Sequence, residues 1–209
     1  MNKKLDLVST ILKAKKLYKK KKNITYEFIK KDYYFDNSEL IKIIYELQSG
    51  SYLKNYKLKK SNKRLYAKEL YSYLSPHLKN GNSVMEAGIG EGTTFYELSK
   101  IINNSYKKIN FFGFDISLSR ILIAKKFLRF LKKKLKLFNA DLKHIPLPNN
   151  SIDIIYTSHS LEPNKGYENR IIGELLRVSR KYVFLFEPIY ELNSKRNIKA
   201  KKIYFFITV

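Results

Sequence analysis

Cysteine is absent from the 209 residues, and histidine occurs only three times. The missing cysteines exclude disulfides, thiolate zinc sites, iron–sulfur clusters and a cysteine nucleophile together. No apolar run approaches the roughly 18 residues that a membrane-spanning helix needs; Ile203–Val209 is among the longest. The chain begins Met-Asn-Lys-Lys-Leu-Asp, where Asp6 interrupts the apolar stretch and no small-residue cleavage site follows, so no signal peptide is expected. A cytoplasmic, soluble protein is the expectation. Acids are scarce as well: 18 Asp and Glu stand against 42 Lys and Arg, a net charge of +24. Such a balance invites a nucleic-acid or anionic-membrane partner, because lysine and arginine neutralise phosphate. Yet only seven of the 42 are arginine, the residue suited to bidentate phosphate and guanine contacts. A solvated lysine-rich surface is the simpler account, and the wealth of Lys, Asn, Ile, Tyr and Phe fits AT-rich coding. What is plentiful is apolar: 44% hydrophobic and 14% aromatic residues can bury the core of one ordinary domain.

The first 80 residues read differently from the rest. Residues 1–31 carry eleven lysines against Asp6 and Glu27. Leu5, Val8, Ile11, Leu12 and Leu17 fall near helical spacing, which predicts an amphipathic helix up to the Lys19–Lys22 run. That run reads as a solvated helix end, or as an arm for phosphate or a partner. The cap-like Asp36–Glu39 precedes a second helix through Leu40, Ile43, Ile44 and Leu47, closed by Gln48–Ser51. A third is expected over Lys63–Leu78, with Leu65, Leu70, Tyr73 and Leu74 on one side and Pro76 near its last turn. Asn80-Gly81-Asn82 then breaks the chain.

Beyond it, short apolar runs alternate with helical stretches. Strands are expected at Ser83–Gly88, Ile109–Ile116, Leu135–Ala140, Ile152–Ser158 and Lys181–Pro188. Helices are expected at Thr93–Asn103, Ser117–Lys133 and Glu168–Ser179. Strands apolar on both faces, spaced by helices, predict an α/β fold: a Rossmann-like parallel sheet with helices on both faces and a helical N-terminal extension. The division is a helical segment 1–80, in the position of a lid or substrate region, followed by a domain over 81–209. Ligands of such sheets sit outside the carboxyl ends of the strands.

At the first such end stands Glu86-Ala87-Gly88-Ile89-Gly90-Glu91-Gly92, followed at once by a helix. Glycines there let the main chain approach a ligand and adopt positive φ cheaply. The spacing is not the dinucleotide fingerprint, and Glu86 and Glu91 suit a pyrophosphate poorly. The loop therefore fits a nucleoside ligand without phosphate, preferably a cationic one. The second strand ends at Asp115, twenty-three residues past Gly92, where a carboxylate can accept both ribose hydroxyls or simply cap the next helix. Asn139-Ala140-Asp141-Leu142 follows the third strand as a polar turn placed for an adenine edge, or as an ordinary turn.

These motifs resemble those of class I S-adenosylmethionine-dependent methyltransferases. Glu86–Gly92 resembles their glycine-rich first motif, Phe114–Ser117 the second acidic motif, and Ala140-Asp141 the adenine-contacting turn. Ile145–Glu162 (IPLPNNSIDIIYTSHSLE) is similar to a segment of the small-molecule branch, which includes ubiquinone/menaquinone C-methylases, and Glu174–Val178 to the Glu-x-x-Arg-Val helix before the fifth strand. The likeness covers about residues 80–190. It implies S-adenosylmethionine as cofactor, held by Glu86, Gly88, Gly90, Gly92, Asp115, Ile116, Asp141, Leu142 and Ser158, and no metal. Transfer would be an in-line displacement in which alignment alone contributes on the order of 7–11 kcal/mol.

Where the acceptor must lose a proton, His159, just past the fourth strand, is the candidate base; Glu162, Asp141 and Tyr156 are the alternatives. Exocyclic-amine methylases of this fold carry an Asn/Asp-Pro-Pro-aromatic motif where this chain has Ser158-His159-Ser160-Leu161, and cytosine-C5 methylases need a cysteine. A small-molecule acceptor (a sugar, quinone or other metabolite) is expected first and RNA second, with the N-terminal tyrosines as a stacking surface or as plain core. A catalytically inactive fold relative is a third reading. It arises because only twenty-one residues follow Pro188, room for one strand where the resemblance implies a helix and a strand pair. An exposed sheet edge would favour pairing with a partner.

Overall fold

The computed structural model describes residues 7–20, 22, 24, 27, 38–59, 62–131, 134–164, 166–188 and 202–208. Helix α1 spans Leu7–Lys19, α2 Ser38–Leu47, α3 Ser51–Lys57 and α4 Lys63–Leu74. Strand β1 (Ser83–Ala87) opens the alternating part, followed by α5 (Thr93–Ser105), β2 (Asn110–Asp115), α6 (Leu118–Phe127), β3 (Leu135–Asn139), β4 (Ile152–Ser158), α7 (Glu168–Val178) and β5 (Ser179–Pro188). The last strand, β6, is Lys202–Thr208. The sheet order is β3-β2-β1-β4-β5-β6. The first five strands run parallel and β6 pairs antiparallel with β5, Tyr182 opposite Thr208.

Strand alternation decides the two cores. From β1, β4 and β5, Val84, Ile154, Tyr156, Phe184 and Phe186 face α4, α5 and α6. Met85, Ala87, Ile155, Val183 and Leu185 face the other way, onto Ile171, Leu175 and Val178 of α7. All five residues of β1 are buried, as a central parallel strand requires. Helix α4 joins the first of these cores through Tyr66, Ala67, Leu70 and Leu74. Leu70 and Leu74 of the expected face are buried, whereas Leu65 is 59% and Tyr73 45% exposed, because the 66, 67, 70, 74 spacing follows the helical period and 65, 70, 73, 74 does not. Pro76 lies in a short 3-10 turn, Ser75–His77, that ends this helix. In α1, Ala14 is buried while Leu12 stands 61% exposed; Leu5 lies outside the described residues. Ala14, Ile24, Leu40, Ile41 and Ile44 form a small third core, against which Ile116 packs.

The expected helix over Ser117–Lys133 is shorter than its apolar pattern suggests. Ser117 caps it by accepting the Arg120 N–H, and it closes at Phe127 before a 3-10 turn at Arg129–Leu131. The sheet reverses its winding between β1 and β4, so their carboxyl ends open the crevice where an α/β sheet takes its ligand.

Candidate functional site

The glycine-rich loop leaves β1 with Gly88, Gly90 and Gly92 all in the left-handed region, at φ +80°, +57° and +74°. Gly88 and Ile89 both donate their N–H to Phe114 O at 2.9 Å, which ties the loop to the end of β2. A Cβ on Gly88 would lie 2.3 Å from Ser160 Oγ, so the β4 loop passes directly against it. At Gly90 the nearest atom to such a Cβ is Arg120 Nη1, at 3.8 Å, so nothing crowds that position. Gly92 does different work. Its Cβ would meet Leu128 Cδ1 at 2.7 Å, so it is a packing glycine between the loop and α6.

Asp115 closes β2, is 7% exposed, and accepts the Gly90 N–H through Oδ2 and the Ser117 N–H through Oδ1, each at 2.9 Å. It thus holds the loop and the start of α6 at once, with one lone pair left on each oxygen. Burial pushes its carboxyl upward, opposed chiefly by the Arg120 guanidinium and by those two N–H donors. Beneath the loop, Glu86 is 2% exposed and accepts the Tyr156 hydroxyl at 2.9 Å. Burial raises its carboxyl to about 8, against the pull of the Tyr156 hydroxyl and the Lys63 ammonium.

The loop after β4 is pinned from β5. Glu187, 7% exposed, accepts the Ser160 N–H at 2.9 Å and the Leu161 N–H at 3.2 Å, and its own carboxyl is pushed by burial up to about 7. Ser158 Oγ lies 3.0 Å from the Tyr66 hydroxyl of α4. His159 is exposed with φ +57°, its ring centroid 5.8 Å from that of Tyr66. Gly88, Gly90, Asp115, Ser158 and His159 therefore gather at the carboxyl ends of neighbouring strands. Ile116 is half-buried against the N-terminal helices, and its carbonyl accepts Asn139 Nδ2 at 2.9 Å. Asp141 accepts the Ser38 hydroxyl at 2.5 Å and the Lys143 N–H at 2.9 Å. Leu142 is 9% exposed and its side chain belongs to the α7 core, so only its main chain can face a ligand.

Sequence reasoning missed what covers the loop. Glu91 accepts Gly50 N–H at 2.8 Å and Leu53 N–H at 2.5 Å, satisfying the first turn of α3. Glu46 of α2 accepts Ser119 N–H at 3.2 Å, at the first turn of α6. Between these two ties, Arg120 Cζ sits 4.3 Å from the Tyr45 ring centroid and 4.7 Å from that of Tyr52. No sequence signal marks those pairings, because each joins residues dozens of positions apart.

Two further observations bound the chemistry. A cleft of about 340 Å³ lined by Gly81, Ser83, Lys134, Lys136 and Arg180 opens at the amino ends of the strands, the wrong end for an α/β ligand site. Among the described residues no group of three or more His, Cys, Asp or Glu is arranged to hold a metal, and no helix is long and apolar enough to cross a membrane.

Residues 84–181 match the family model of a methyltransferase domain. The matched segment, just under half of the chain, is similar to a methyltransferase domain and has its fold. No curated protein matches the chain. Among solved structures, a SAM-dependent methyltransferase from Aquifex aeolicus superposes at TM-score 0.53 with 21% identity, over 68% of this chain and 76% of that one. The [4+2]-cyclase SpnF gives TM-score 0.57 at 20% identity over 73% of this chain, and a putative S-adenosyl-L-methionine-dependent methyltransferase from Methanococcus maripaludis gives 0.51 at 15% over 73%. The match spans 60% and 64% of those two proteins, under two thirds of either. At these identities the likeness speaks to the fold. The cyclase among the matches illustrates that a methyltransferase-like fold does not by itself fix the reaction.

Proposed function

We propose that the methyltransferase domain moves a methyl group from S-adenosylmethionine to a small-molecule acceptor, with residues 1–80 as the lid and substrate segment and 81–209 as the catalytic domain. One observation carries the reading: a bare left-handed main chain at Gly90 shares a hydrogen bond with a buried acid that keeps spare lone pairs. That pairing fits an adenosine whose ribose lies on Asp115. It fits a phosphate badly, since the Asp115 carboxylate already accepts the Gly90 and Ser117 N–H groups and would repel an anion there.

When bound, the cofactor supplies a methyl group on a sulfonium whose positive charge vanishes on transfer. Asp115 would accept the ribose hydroxyls, and the main chain of Gly88 and Gly90 would hold the cofactor. Glu86 faces the amino-acid end, where an ammonium would draw its carboxyl into the ionised form. Ser158, Ile116 and the main chain of Asp141 and Leu142 would help hold the cofactor, and Gly92 sets the start of α5 by packing. His159 takes the acceptor's proton, and Glu187 keeps its loop in place. Tyr45 and Tyr52 lie against Arg120 and Tyr66 beside His159, so aromatic rings border the proposed site, which suits a ring or sugar acceptor.

The charge of +24 supports RNA methylation as the second reading. Calorimetry with S-adenosylmethionine decides between enzyme and inactive relative: saturable binding in the parent, weakened at least tenfold in Asp115→Ala and Gly90→Val, is the expected result. Unchanged affinity in both variants would overturn the assignment. RNA binding that falls steeply between low and moderate salt would move RNA ahead, and methyl transfer from labelled cofactor into extract fractions would identify the acceptor class.

A further inference from the structure

Arg120 is 6% exposed, yet its Nε and Nη2 have no hydrogen-bond partner among the described residues. A buried guanidinium left with open donors is costly, and native structures seldom tolerate it without a ligand or ordered water. Asp115 is buried beside it, and the two groups feel each other's charge. They nonetheless form no ion pair. A group that both donates and accepts hydrogen bonds would satisfy the two at once. One side offers only acceptors, a spare lone pair on each Asp115 oxygen. The other offers only donors in a planar fork.

We infer that Arg120 and Asp115 together form a two-sided clamp for a vicinal diol, which the ribose of the proposed cofactor supplies. Each diol oxygen accepts from the guanidinium and donates its own proton to the carboxylate, so a single ligand group satisfies both partners. The tyrosine rings explain why the fork is available. Tyr45 and Tyr52 flank the guanidinium at 4.3 and 4.7 Å, where cation–π contact holds it and leaves its in-plane edge for a ligand. Both rings come from α2 and α3, which Glu46 and Glu91 tie to the same loop. Seating those helices and holding the diol are then one event. The inference rests on the proposed cofactor, but it assigns to Arg120 a role that sequence reading left unfilled.

The test is calorimetric binding of S-adenosylhomocysteine and of its 2′,3′-dideoxy analogue to the full chain. In the parent, removing the diol weakens binding by the contacts to both side chains. In Arg120→Met the same removal costs at least about tenfold less, the size of one hydrogen bond to a charged group. Tyr52→Ala reduces the diol effect, whereas Tyr52→Phe preserves it. Amide exchange at Gly50 and Leu53 slows on ligand addition in the parent and does not in Arg120→Met. Equal diol losses in parent and Arg120→Met would refute the clamp while leaving the cofactor reading intact. Should Arg120→Met not fold, Arg120→Lys keeps the charge without the planar fork, and equal losses there refute it as well. If the parent binds no S-adenosylhomocysteine, the cofactor reading fails and the clamp fails with it.

Discussion

Replacing Gly88 with alanine tests the site at its tightest point. The new Cβ would lie 2.3 Å from Ser160 Oγ and 2.8 Å from Ser160 Cβ, on a residue with φ +80°. The left-handed conformation alone costs an L-residue roughly 1–2 kcal/mol. Ser160 cannot simply swing away, because its hydroxyl donates to Ala87 O at 2.9 Å in a buried setting. Displacing it adds about 1 kcal/mol for that bond and on the order of 1 kcal/mol more for overpacking. The sum is about 3–4 kcal/mol, a large share of the 5–15 kcal/mol that holds an ordinary domain together. For a chain of this size that corresponds to a fall in Tm of roughly 10 °C. Urea unfolding of parent, Gly88→Ala, Ser160→Gly and the double variant measures the parts. In the double variant the steric share disappears, so Gly88→Ala costs only its conformational share of about 1–2 kcal/mol in that background. A Gly88→Ala protein within about 1 kcal/mol of the parent would refute the argument, and so would a cost that Ser160→Gly leaves unchanged.

The buried carboxyls give two predictions of opposite sign. Glu86 titrates at about 8 in the folded chain against an ordinary 4.5, so between those values the folded state binds the extra proton and stability falls as pH rises. Glu86→Gln keeps an acceptor for Tyr156 and is expected to match the parent near pH 4, then to exceed its stability by a few kcal/mol at most by pH 8; parallel stability curves would sink this. The same variant should bind the cationic cofactor less tightly, because it gives up charge that the ligand would stabilise. Asp153 behaves oppositely. Burial raises it, but the Ser83 N–H and hydroxyl and the Lys181 ammonium outweigh that and hold it at about 2, below its ordinary 3.8. Its contribution is complete above about 3.8 and is lost as pH falls through 2, so the stability gap between parent and Asp153→Asn should shrink across that window. A gap that stays constant down to pH 2 would contradict it.

Much of the alternating part was legible because its signals are local. Ile152–Ser158 is a run of apolar residues bounded by turn residues, and the strand has those bounds. Glu168–Ser179 has helical periodicity and differs from α7 by one residue. The break at Asn80–Asn82 and the glycine spacing of 88–92 needed only chain chemistry: no other residue adopts three left-handed turns so cheaply. Short side-chain patterns failed where two faces compete. On α4 the sequence offers both Leu65 and Tyr66, and only the position of the sheet decides that Tyr66 goes inward to meet Ser158.

By itself, then, the order of elements, the glycine loop and the acid at the end of β2 were determined by sequence, since backbone freedom, periodicity and capping act over a few residues. Tertiary structure alone decided the rest of the site. Arg120 reads as one more basic residue in a chain of 42, and Tyr45 and Tyr52 as two of seventeen tyrosines. The stacking of Arg120 on Tyr45 and Tyr52, the pinning of the β4 loop by Glu187 and the capping of α3 by Glu91 all join segments 26 to 75 positions apart. Such contacts depend on which faces the sheet brings together, and no window of sequence carries that information.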